Sequence, residues 1–120
     1  MPERPVRSWF FRDPVLRPDE HVVTEWLANR SVGAFARGGK LVLTDQRVLF
    51  EPHQLDRVLL AKPWEADLKA VDNVGTQQPN GAPFNGGLRE RLTLTVEGRT
   101  HLFVVGNVHR VATQIDLARP

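Results

Sequence analysis

The stretch Lys40-Leu41-Val42-Leu43-Thr44-Asp45-Gln46-Arg47-Val48-Leu49-Phe50-Glu51-Pro52 decides how the rest of the chain is read. Two aliphatic and β-branched runs flank Asp45-Gln46, and a polar pair between such runs marks a tight antiparallel hairpin, although Asp-Gln lacks the glycine a primed turn prefers. Gly38-Gly39 opens the first run and Pro52 closes the second.

Upstream, Val22-Val23-Thr24-Glu25-Trp26-Leu27-Ala28 is β-branched and aromatic, bounded by Pro18-Asp19 and Gly33, and reads as a first strand within His21 to Val32. Downstream, residues 52–62 fit a short helical turn or a strand equally. Trp64 to Leu68 alternates like a strand, and Leu68, Val71 and Val74 then fall at three-residue steps, which predicts a short turn before another strand toward Gln78. Pro79 to Gly87 is nearly all turn chemistry and predicts the longest mobile loop. Leu92, Leu94 and Val96 alternate with Thr93 and Thr95, Glu97-Gly98 makes a turn, and His101 to Val105 returns as a buried strand. The period then changes. Val108, Val111, Ala112 and Ile115 lie at i, i+3, i+4 and i+7 behind Asn107 as N-cap, which is one amphipathic helix.

A chain of 120 residues with 41% hydrophobic content suits one core, which at this size buries about two thirds of the surface of the unfolded chain. The absence of cysteine excludes disulfides, thiolate nucleophiles and cysteine-held metal. No apolar run is long enough for a secretory leader or a bilayer span, so the expected place is the cytoplasm, with the inner membrane face as the alternative. Sixteen Lys and Arg against fourteen Asp and Glu, interleaved along the chain, do not make a nucleic-acid polyelectrolyte.

Residues 1–18 hold four prolines and read as an extended arm, leaving 19–120 as the domain. The arm's Trp9-Phe10-Phe11 is costly to leave in water, so it packs on its own domain, on a partner, on a membrane interface, or on a second copy of the chain.

Gly39 to Pro52 resembles the signature hairpin of GRAM domains, relatives of pleckstrin-homology domains. Trp64 to Val74 is similar to that family's fourth strand and following turn, and Gly98 to Val105 to its last strand, with Phe103 at the aromatic position. The resemblance spans roughly Asp19 to Leu117. It implies a mainly β fold: a split barrel of about seven antiparallel strands, capped by the C-terminal helix, used to dock lipid or protein and without known catalytic chemistry.

Arg30, Arg37 and Lys40 flank Gly33, Gly38 and Gly39, and glycines that let backbone N–H groups converge can build an anion nest; the same residues also read as solvated loop charges. Pleckstrin-homology domains that bind phosphoinositides carry a basic motif at the first hairpin, which here is broken by glycines and apolar residues. Phe84, with Arg89 and Arg91 just beyond, either inserts into a membrane interface beside lipid phosphates or folds back onto the barrel.

Catalysis finds little support. Ala34 to Leu41 approaches a phosphate loop, but Leu41 stands where the magnesium-binding hydroxyl belongs and a strand follows. His21, His53, His101 and His109 lack metal-ligand spacing, and Ser8 and Ser31 sit in no nucleophile context. The expected role is therefore a non-catalytic module, without cofactor or metal, docking a protein or peptide. Peripheral binding to anionic or phosphorylated lipid is the alternative, and a homo-oligomeric structural role the third.

Overall fold

The computed structural model describes residues 13–32, 35–53, 62–81 and 89–120. Among the described residues seven strands follow one another: β1 Val22–Val32, β2 Phe35–Thr44, β3 Arg47–Pro52, β4 Trp64–Asp67, β5 Val71–Gln77, β6 Arg91–Val96 and β7 Arg99–Val105. Among the described residues they are followed by one α-helix, α1 (Val108–Ala118). Every pairing is antiparallel, and the strands form one sheet in the order β4-β3-β2-β1-β7-β6-β5.

The edge strands β4 and β5 are joined by nothing more than a 3-10 turn, Leu68–Ala70. A flat seven-stranded sheet would separate its edges by roughly 29 Å, far beyond the reach of three residues at about 3.5 Å each. The sheet therefore curls, and its inner face becomes the core. Ala28, Leu41, Leu43, Val48, Phe50, Ala66, Val71, Leu92, Leu94, Phe103 and Val105 bring all seven strands into one buried cluster, which Val111 and Ile115 of α1 complete. Each fully buried aliphatic or aromatic side chain contributes about 1.5–3 kcal/mol.

Local chemistry sets the corners. At the β2–β3 turn the Thr44 hydroxyl accepts hydrogen bonds from the backbone N–H of Gln46 (3.0 Å) and Arg47 (2.8 Å), closing Asp45-Gln46 without a glycine. The β6–β7 turn is of the primed kind: Glu97 (φ 52°) and Gly98 (φ 79°) are both left-handed. Asn107 does occupy the N-cap position of α1, but in the left-handed region (φ 52°), where its side chain makes no capping bond.

Gly38 and Gly39 are not loop residues. They lie inside β2, opposite Asn29 and Ala28 of β1, so their N–H groups belong to a ladder and form no anion nest. Gly39 answers a different need: a β-carbon there would stand 2.3 Å from the Glu51 carbonyl oxygen and 2.7 Å from Phe50 Cζ.

Residues 13–20 lie on the outer face of β2, β3 and β4, held by charge. Arg47 clasps the buried Glu20 carboxylate through Nε (2.8 Å) and Nη2 (2.5 Å), reaches Glu65 through Nη1 (2.6 Å) and donates to the Val15 carbonyl (3.0 Å). Arg17 pairs with Asp67.

Candidate functional site

A hollow lies between the edge strand β4 and the β6–β7 hairpin. It has a volume of about 610 Å³, and its lining includes Trp64 and Ala66 on one wall and Val96, Arg99 and His101 on the other. Alternation along the strands builds the floor. Trp64 is on the inward face of β4, two residues before the core residue Ala66, and His101 is on the inward face of β7, two before Phe103. The Trp64 ring centroid lies 4.8 Å from that of His101 and 5.4 Å from that of Phe103.

Arg30 comes into this stack from β1. Its guanidinium carbon is 5.8 Å from the Trp64 ring centroid, within cation–π range, and Nη2 donates to His101 Nδ1 at 3.2 Å. Arg30 Nε is buried and has no hydrogen-bond acceptor. Burial lowers the Arg30 pKa from its ordinary value. The His101 pKa is lowered too, first by burial and then by the charges of Arg30 and Arg99. Directly across the β1–β2 ladder from Arg30 is Arg37, so the two cations share one face of the sheet. Like charges in register on neighbouring strands repel. Among the described residues no carboxylate pairs with Arg30, Arg37 or Arg99. Of the carboxylates lining the hollow, Glu65 is taken by Arg47 and Asp67 by Arg17, while Glu97 is exposed at the turn.

The structure thus brings Arg30 and Arg37 together and separates Lys40 from them. Lys40 lies three residues beyond Arg37 in β2 and so faces the opposite side of the sheet. There it is 1% exposed, its ammonium held by Glu25 (3.2 Å) and Asp13 (3.0 Å), and it is no ligand-ready cation. Arg91 is corrected likewise: it is 1% exposed and donates to Ser31 Oγ at 3.4 Å, which removes it from any membrane-facing role, whereas Arg89 is exposed. Trp9, Phe10, Phe11 and Phe84 lie outside the described residues. Sequence reading missed Trp64, Arg99 and His101 as members of the site. The signal available was their inward parity with Ala66 and Phe103, but parity alone does not say which strands meet across a gap.

Two further histidines form surface pairs, His21 with Asp45 (3.2 Å) and His109 with Glu90 (2.9 Å). Among the described residues no cluster of three or more His, Asp or Glu could hold a metal ion, and no helix is long and apolar enough to cross a membrane.

No protein-family model and no curated protein matches the sequence. Among solved structures, the chain is similar to the C-terminal domain of an unknown protein from Leishmania infantum. The TM-score is 0.64 at 10% identity, over 84% of this chain and 85% of that one, a likeness of fold alone.

Proposed function

We propose that this chain is a non-catalytic docking module that holds an anionic group of its partner, a phosphate or a carboxylate, in the hollow between β4 and the β6–β7 hairpin. The observation that carries this reading is the Arg30–Arg37 pair: two arginines directly opposite one another across the β1–β2 ladder, with Arg30 Nε buried and lacking an acceptor. By contrast, Lys40 is matched by two carboxylates and Arg47 by two. Desolvated N–H donors without acceptors cost about 1–3 kcal/mol each, a cost that an anion's oxygens remove. Guanidinium forks suit two-oxygen contacts to phosphate and carboxylate alike, and the flat Trp64 face beside them suits the apolar part of a ligand. The resemblance to GRAM domains accords with a docking role.

The test is an NMR titration of the chain with inorganic sulfate at low salt. Shifts are expected at Arg30, Arg37, Arg99 and His101, weakened by added NaCl and abolished in Arg30→Gln. Absence of any shift overturns the reading. Sedimentation with phosphatidylcholine vesicles, with and without phosphatidylserine, and titration with acidic and phosphorylated peptides then separate a lipid source of the anion from a protein source.

A further inference from the structure

Resting on that reading, we infer that anion capture in this hollow is proton-coupled: the ligand draws Arg30 away from His101, and His101 then takes up a proton from solvent and joins the cationic lining. A guanidinium only donates hydrogen bonds. The 3.2 Å contact from Arg30 Nη2 to His101 Nδ1 is therefore a hydrogen bond only while Nδ1 carries a free lone pair, with the imidazole neutral and its proton on Nε2. A proton on Nδ1 would set N–H against N–H and charge against like charge. In the unliganded site Arg30 thus holds His101 neutral, and His101 gives Arg30 a weak neutral acceptor in place of an anion.

The charges that bear most on His101 are those of Arg30 and Arg99. Arg30 reaches it from β1, with Arg37 across the ladder from Arg30 on β2, and the hollow it lines also holds Arg99 of its own strand, Glu65 and Asp67 of β4, Glu97 of the adjoining turn and Arg17 of the segment packed outside. Glu65 and Asp67 are committed to Arg47 and Arg17. A dianion entering here reverses the local sign. Its oxygens accept from Arg30, including the acceptor-less Nε, and an imidazolium gains an attractive neighbour where it had repulsive ones. Trp64 packs against the imidazole at 4.8 Å, and the change proposed for His101 is one of charge. Linkage is reciprocal: whatever factor the anion adds to proton affinity, the proton adds to anion affinity. Binding tightens as pH falls through the His101 titration.

Inorganic sulfate tests this cleanly, because it stays doubly charged throughout the range of interest and any pH dependence belongs to the protein. Its dissociation constant is measured by NMR from about pH 5.5 to 8, alongside the His101 ring resonances with and without sulfate. The expected results are a constant that falls by up to about tenfold per pH unit between the free and liganded midpoints of His101, and a His101 midpoint moved upward by sulfate. His101→Gln keeps an acceptor for Arg30 and cannot titrate, so its sulfate affinity is expected to be flat with pH. Without any ligand, Arg30→Gln is expected to raise the His101 midpoint. Sulfate that binds near Arg30 with the same affinity at every pH overturns the proton coupling and leaves the anion site standing. Sulfate that fails to bind even at the acid end overturns the anion site, and with it the coupling. An unchanged His101 midpoint in Arg30→Gln refutes the claim that Arg30 sets the charge of His101.

Discussion

Replacing Glu20 by Gln is expected to destabilise the protein by about 3 kcal/mol at neutral pH, and by progressively less as the solution is acidified. The Glu20 side chain is fully buried, and its carboxylate accepts from Arg47 Nε and Nη2, from the Thr44 hydroxyl at 2.7 Å and from the Arg17 backbone N–H at 2.8 Å. Arg47 above all holds its pKa down to about 2, against an ordinary 4.5, with burial opposing and the other hydrogen bonds adding. A depression of that size corresponds to about 3 kcal/mol. Because the folded-state value is the lower one, the contribution is complete above the unfolded pKa and is lost as pH falls from about 4.5 through 2. By about pH 3.5 roughly 1.4 kcal/mol of it is gone. Gln keeps the shape but turns an amide N–H₂ toward the Arg47 donors, leaving that guanidinium with Glu65 and the Val15 carbonyl as acceptors. Breaking one side of a buried pair costs about 3–5 kcal/mol, which agrees with the value from linkage. Urea denaturation of both proteins at pH 7, 5 and 3.5 reads the effect. The Asp45 carboxyl also sits below its ordinary range, chiefly through the His21 backbone N–H, so the diagnostic quantity is the difference between the two proteins rather than either slope. A difference that stays constant from pH 7 to 3.5 would refute the assignment of Glu20 as a buried carboxylate clasped by Arg47.

Two further substitutions test the corners of the fold. Gly39→Ala puts a methyl against the Glu51 carbonyl and Phe50 ring, at 2.3 and 2.7 Å before relaxation. It is expected to cost about 2–3 kcal/mol in urea unfolding; stability within error of the wild type would mean that β2 and β3 do not approach this closely. Thr44→Val removes the acceptor for two backbone N–H groups and one donor to Glu20, with an expected loss of about 2 kcal/mol, while Thr44→Ser keeps the hydroxyl and loses far less. A loss in Thr44→Ser as large as that in Thr44→Val would refute the claim that the hydroxyl, rather than the methyl, shapes the turn.

The strands were legible because their sequence carries period two and their turns carry their own chemistry. Leu92, Leu94 and Val96 are inward, as the alternation required, and Glu97-Gly98 turns as expected, while Leu68, Val71 and Val74 bracket the 3-10 turn. Gly38-Gly39 misled because glycine signals a turn far more often than it signals a close approach between strands, which is its use at Gly39. Lys40 misled for a related reason. Proximity to Arg37 along the chain suggests one site, yet in a strand an odd separation places two side chains on opposite faces, and the carboxylates that hold Lys40 come from Glu25 and Asp13, distant in sequence. The meeting of Trp64 with His101 and Arg30 was beyond reach for the same reason: it depends on which strands face each other across the gap in the curled sheet.

The position of β1 in the middle of the sheet governs the order in which the molecule can be completed. One flank of β1 is taken by β2, its immediate successor, but the other waits for β7, where Ala28 meets Val105. While a ribosome is still extending the chain, β1 through β4 can already zip together, yet the inner strand keeps a bare row of backbone donors and acceptors until β7 emerges. That interval of synthesis is the window in which a foreign strand could take the seat meant for β7.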